Sequence, residues 1–203
     1  MMLSKDMKTL IRVLNTATEV IIPDSVTHIK ESAFSYCKGI TTIVIPSSVT
    51  SIGDYAFEHC ERLKSIIIPD TVTELGKGIF GNCFKLESVT LPKTITSIRM
   101  DTFRNCMCLE YIELPETITR INEEAFYNCN KLRSVNLPST LEVICNAAFK
   151  YCTALDISIP GSVTTIGISA FEGCINLIIP EDIKTNMNIT VGKNAFKKCK
   201  NVT

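Results

Sequence analysis

The residues of this 203-residue chain best equipped for chemistry are its ten cysteines and two histidines. A thiolate serves as nucleophile or metal ligand, and imidazole as general base or ligand. Their spacing speaks for a different use. Eight cysteines, Cys37, Cys60, Cys83, Cys106, Cys129, Cys152, Cys174 and Cys199, recur at intervals of about 23 residues, while Cys108 and Cys145 stand outside the series. One residue separates Cys106 from Cys108, fewer than the two to four between the cysteines of a zinc knuckle. His59 adjoins Cys60, which looks like a base beside a nucleophile. Yet Cys60 belongs to the regular series, and His28 occupies a different point of its own interval. The sequence contains no G-x-x-x-x-G-K-[ST], G-x-S-x-G, G-x-G-x-x-G or H-E-x-x-H. The expectation is that there are no catalytic residues, no cofactor and no metal site. Stacked cysteines about 5 Å apart would be within reach of disulfide bonding, but their register with other apolar residues fits buried, reduced thiols better.

The elements that position these cysteines repeat with them. Phenylalanine precedes each by three residues, at Phe34, Phe57, Phe80, Phe103, Phe126, Phe149, Phe171 and Phe196. Proline recurs at Pro23, Pro46, Pro69, Pro92, Pro115, Pro138, Pro160 and Pro180, each after Ile or Leu. The unit reads C-x-x-L-x-x-I-x-I-P-x-x-V-x-x-I-x-x-x-A-F-x-x-C. In Leu63 to Pro69 the I-x-I alternation has the period of a strand, and the proline, lacking an N–H, ends it. Val72 to Leu75 forms a second extended piece with two apolar residues inward, and Gly53, Gly76, Gly167 and Gly192 follow such pieces where a permissive turn is expected. Asp54 to Cys60 has room for one or two helical turns. One unit exposes its apolar side, so the units must stack. Residues 17–203 hold eight of them.

Irregularities fall at the ends. Cys152 to Pro160 and Cys174 to Pro180 are shortened, and Lys184 to Thr190 form an insertion in the last unit. Leu3, Met7, Leu10, Ile11 and Leu14 have helical spacing, so residues 1–16 are expected to form an amphipathic helix over the first open sheet edge. The far edge carries no comparable lid, which makes a homodimer or end-to-end assembly through the C-terminal edge a second expectation.

The 21 basic residues balance the 21 acidic ones, which argues against nucleic acid as a partner. No apolar run is long enough to insert in a membrane, and Lys5, Asp6, Lys8 and Arg12 interrupt the only stretch where an export signal would lie.

As it stands around Cys37 to Phe57, the unit resembles the BspA-like (Treponema pallidum type) leucine-rich repeat, and the resemblance covers roughly residues 17–203. It implies an α/β repeat fold: a right-handed solenoid with a parallel sheet on its concave side and short strands and short helical turns elsewhere. Members of this family are often surface or secreted adhesion proteins that bind host or matrix proteins, without shared catalytic residues. Surface display or secretion is therefore implied, while the interrupted N-terminal segment leaves the cytoplasm open as the alternative.

Two positions per strand point away from the core: Glu19 and Ile21, Thr42 and Val44, Ser65 and Ile67, Ser88 and Thr90, Tyr111 and Glu113, Ser134 and Asn136, Asp156 and Ser158. Ile21, Val44 and Ile67 would make an exposed apolar stripe on successive turns. Such a stripe marks an interaction surface, or reflects only the strand preference of branched residues. A protein ligand held by these outward residues, with Tyr111 as aromatic anchor, is the functional expectation. The sequons Asn188-Ile189-Thr190 and Asn201-Val202-Thr203 would matter in a glycosylating compartment.

Overall fold

In the computed structural model, which describes residues 1–179, 183 and 188–201, the chain coils into a β-solenoid of stacked turns. Six turns contribute a three-residue strand, eight contribute a two-residue strand on a second wall, and Asp156 to Ser158, at the three-residue position of a later turn, form no strand. The first kind comprises β3 (Glu19–Ile21), β5 (Thr42–Val44), β7 (Ser65–Ile67), β9 (Ser88–Thr90), β11 (Tyr111–Glu113) and β13 (Ser134–Asn136). The second comprises β4 (His28–Ile29), β6 (Ser51–Ile52), β8 (Glu74–Leu75), β10 (Ser97–Ile98), β12 (Arg120–Ile121), β14 (Val143–Ile144), β15 (Thr165–Ile166) and β17 (Thr190–Val191). Near the C-terminus, β16 (Ile178–Ile179) pairs in parallel with β18 (Lys200–Asn201). Pairing between turns is parallel throughout, in a register that places each residue on its repeat equivalent.

The core is one column. Rings from Phe34 to Phe196 stack turn on turn with centroids 5.0–5.6 Å apart. Those from Phe34 to Phe171 have no exposed surface, so each contributes the full apolar burial of a large side chain.

Three expectations need correction. Residues 1–16 form no helix. Instead β1 (Met2–Leu3) pairs antiparallel with β2 (Thr9–Arg12), and β2 continues the parallel two-residue-strand ladder through β4. Helical spacing misled because its stripe does not share one face: Leu10 is fully buried, whereas Met7 and Leu14 are 49% and 62% exposed. Met7 also takes a φ of 61°, which turns the chain between the two strands.

The stretch around each Phe is likewise not helical. Sixteen residues, two in each of eight turns, adopt positive φ at the positions two before and two after the Phe, as Tyr55 (55°) and His59 (57°) do around Phe57. Left-handed residues at this spacing stop any helix. The backbone N–H groups alternate instead: Phe34 and Tyr36 donate to Ala56 and Glu58 on the next turn, while Ala33 and Cys37 donate locally to Lys30 and Phe34. These backbone groups thereby find partners without a helix.

The third correction concerns sheet continuity. The three-residue strands pair only in twos, β3 with β5, β7 with β9 and β11 with β13, whereas the two-residue strands form two five-stranded sheets, β1-β2-β4-β6-β8 and β10-β12-β14-β15-β17. Most of the insertion expected at 184–190 lies outside the described residues, as do Pro180, Val202 and Thr203.

Candidate functional site

All residues expected to face outward do so. Ile21, Thr42, Val44, Ser65, Ile67, Ser88, Thr90, Tyr111, Glu113, Ser134 and Asn136 are exposed, and the residue between each outward pair points into the core. Strand alternation dictates this arrangement, since successive side chains leave opposite faces. The apolar members are well uncovered: Ile21 75%, Ile67 68%, Tyr111 52% and Val44 48%. Register sets Ile21 beside Val44, Ile67 beside Thr90, Tyr111 beside Ser134 and Glu113 beside Asn136. Val44 and Ile67 belong to separate strand pairs, so the stripe crosses an unbonded step. Along one border, ion pairs Lys64–Glu87 (3.5 Å) and Glu110–Arg133 (3.8 Å) join successive turns. Both pairs are exposed and contribute at most about 1 kcal/mol each.

Where β9 and β11 separate, a cleft of about 730 Å³ opens, lined among others by Val89, Thr90, Lys93, Tyr111, Glu113 and Asn136. Asn136 is already engaged, its Oδ1 accepting the Leu114 N–H at 2.7 Å. Tyr111 and Thr90 stand at the rim with exposed side chains.

The cysteine series has a structural use. Seven thiols each donate to the carbonyl of the Phe in the preceding turn, from Cys60 to Phe34 (3.4 Å) through Cys199 to Phe171 (3.1 Å). All ten cysteines are free. Burial raises the thiols of Cys60, Cys83, Cys106, Cys152 and Cys174 above the ordinary range, Cys83 to about 12, so they stay protonated and inert. His59 does not address Cys60. Its ring stacks on Tyr36 at 4.4 Å and meets the edge of Phe84, with Nδ1 3.6 Å from Glu61. Among the described residues no cluster of three or more His, Cys, Asp or Glu could hold a metal ion, and no helix is long and apolar enough to cross a membrane.

Two further columns escaped the sequence reading. Ser or Thr stands two residues after each of the first seven prolines, and its hydroxyl donates to the preceding turn, as Ser48 does to Val26 (2.7 Å) and Thr71 to Val49 (2.8 Å). The regular P-x-[ST] spacing was the visible sign. Asn82, Asn105 and Asn128 form an amide ladder: Asn105 donates to Asn82 at 2.7 Å and Asn128 to Asn105 at 2.9 Å.

Known proteins match this architecture. The BspA type leucine-rich repeat region matches residues 14–132 and 96–203, in six copies. A leucine-rich repeat protein from Eubacterium ventriosum is similar at 34% identity and a TM-score of 0.76, over 84% of this chain and 47% of that one. The T. pallidum leucine-rich repeat protein aligns at 27% identity and a TM-score of 0.79, over 95% of this chain and 94% of that one. A leucine-rich cell surface protein from Faecalibacterium prausnitzii aligns at 31% identity and a TM-score of 0.57, over 68% of this chain and 46% of that one. The chain thus spans about half the length of the Eubacterium and Faecalibacterium proteins. No curated protein matches it significantly. With a shared repeat across nearly all of its length and the same coil in its relatives, the chain belongs to the BspA-type leucine-rich repeat family.

Proposed function

We propose that the protein is a non-enzymatic binding module that holds a protein ligand against the outward face of its three-residue strands. The observation that carries this reading is the apolar row Ile21, Val44 and Ile67, with the exposed Tyr111 in the neighbouring outward row further along, on a scaffold whose interior hardly varies. Uncovered apolar side chains in a row, bordered by charged pairs, have the composition of an interaction patch. Resemblance to the repeat family, whose parallel sheet lines the concave side, is what supports placing this row there. Adhesion to matrix proteins at a cell surface is the setting we favour, supported by family membership and by the Faecalibacterium relative, which is described as a cell surface protein.

The test is binding of the purified chain to immobilised matrix proteins, repeated with Val44→Glu and Tyr111→Ala. Both variants should keep the wild-type circular dichroism spectrum and weaken binding at least about tenfold. Undiminished binding by both rejects this face. A second reading, end-to-end assembly near the C-terminus, is favoured by the exposed Ile175, Ile178 and Val191. It calls for a concentration-dependent dimer in light scattering that vanishes on deleting residues 181–203.

A further inference from the structure

The ladder of two-residue strands is broken once among the described residues, between β8 and β10. Elsewhere each step carries a repeated pair of bonds, such as Thr50 N–H to Thr27 O (2.8 Å) and Gly53 N–H to Ile29 O (2.9 Å). At the break the corresponding Thr96 and Arg99 N–H groups have no partner, and the Thr73 and Leu75 carbonyls receive none. A cleft of about 490 Å³ replaces them. Leu75 is partly uncovered there, whereas its equivalents Ile52 and Ile98 are buried. The opening is local, because Thr94 Oγ1 still donates to Val72 O (2.6 Å) before it and Gly78 N–H to Met100 O (2.8 Å) after it.

The residue following each short strand explains the position. This column reads Lys30, Gly53, Gly76, Arg99, Asn122, Cys145, Gly167, Gly192. The glycines lie so close to the preceding turn that a Cβ on any of them would come within 2.4–2.5 Å of backbone atoms there. Passing from a side chain to glycine, at Lys30 to Gly53 and Cys145 to Gly167, leaves the ladder whole. Passing from glycine to a side chain happens once, at Gly76 to Arg99, and there the ladder parts. The Arg99 Cβ needs room that the turn sunk at Gly76 does not leave.

The turn carrying Arg99 is also tied differently on its two walls. Its β9 pairs backward with β7, while its β10 pairs forward with β12. It is thus fastened to the N-terminal block by one wall and to the C-terminal block by the other, with an open cleft on the free side of each. We propose that this turn is a joint about which the two blocks rock, held open by Arg99 following Gly76. Ile21, Val44 and Ile67 lie on one side of it and Tyr111, Glu113 and Asn136 on the other, so rocking changes the spacing between the two parts of the outward row.

Hydrogen–deuterium exchange of the full chain, without ligand, tests the joint independently of the binding proposal. In the wild type, amides 96–99 should exchange at least about tenfold faster than their equivalents at 50–53 and 119–122. In Arg99→Gly, exchange at 96–99 should slow to the rate of those equivalents. Should that variant not fold, Gly76→Ala serves: it makes residue 76 the first side chain after a glycine, and rapid exchange should move to 73–76. Protection of 96–99 in the wild type equal to that of 119–122, or exchange at these sites unaltered by the substitutions, overturns the proposal.

Discussion

At the corner where phenylalanine and cysteine meet, turn after turn repeats the same side chains with no exposed surface, whereas on the three-residue strands the outward residues change from Ile21 and Val44 to Glu113 and Asn136 within a few turns. Both regions are built from the same 23-residue coil and stack at the same interval. They differ in what a neighbouring turn demands. At the corner each ring has another ring directly above and below it, and each Phe carbonyl takes a thiol from the next turn, so a substitution disturbs three turns at once. On the strand row the backbone makes the ladder and the outward side chains are left free. The coil therefore separates what holds it together from what can vary without harm to folding, which is the condition a recognition surface needs.

That contrast can be broken by substitution, beginning with the corner. Phe103→Ala removes a ring packed between Phe80 and Phe126 and is expected to cost about 3–5 kcal/mol in urea denaturation. A loss under 1 kcal/mol would mean that the column is not the core of the coil. Cys129→Ala keeps a small apolar group but deletes the donor to Phe103 O, 3.0 Å away, and should cost about 1–2 kcal/mol by the same measurement.

A smaller effect is set by pH. Glu172 is 12% exposed between Lys150 (2.9 Å) and Lys197 (3.4 Å), and the Lys150 hydrogen bond, with those of Ser169 and Lys197, lowers its carboxyl to about 2 from an ordinary 4.5. A lowered carboxyl stabilises the fold above the unfolded-state value, so this contribution is complete above pH 4.5 and fades as pH falls toward 2. Thermal melting of Glu172→Gln should show a shallower acid slope across that window than the wild type, and parallel curves would remove the ion pair from the account. The smallest effect belongs to the strand row, where Val44→Glu should change stability by no more than about 0.5 kcal/mol in urea. A large loss there would erase the distinction between scaffold and surface.

The corner and the outward positions were legible in the sequence because both depend on side-chain burial, which fixes residue type. Phe, Cys and Pro recur since no other choice fills those places as well, and period two sorted Thr42 and Val44 from Ile43 without coordinates. What remained hidden depends on backbone geometry. The left-handed positions carry Ser32, Tyr55, Gly78, Asp101, Glu124, Ala147, Ser169 and Asn194 in one column, a set with no common preference, because the neighbouring turn's carbonyls impose the conformation. The N-terminal hairpin was read as a helix because Leu3, Leu10 and Leu14 suit either form until the partner strand is known. The break at Arg99 depends on how closely Gly53 and Gly76 approach the preceding turn, which residue type alone does not show.

The paired left-handed residues carry a consequence for how the array comes into being. Tyr36, His59, Glu124 and their fellows bear side chains in a conformation that disfavours them by about 1–2 kcal/mol each relative to ordinary backbone. A lone coil excised from the protein would abandon that shape, having no adjacent carbonyls to hold its amides. Growth of the array should therefore proceed like crystal growth on an existing face, each new layer copying the contour of the one beneath it.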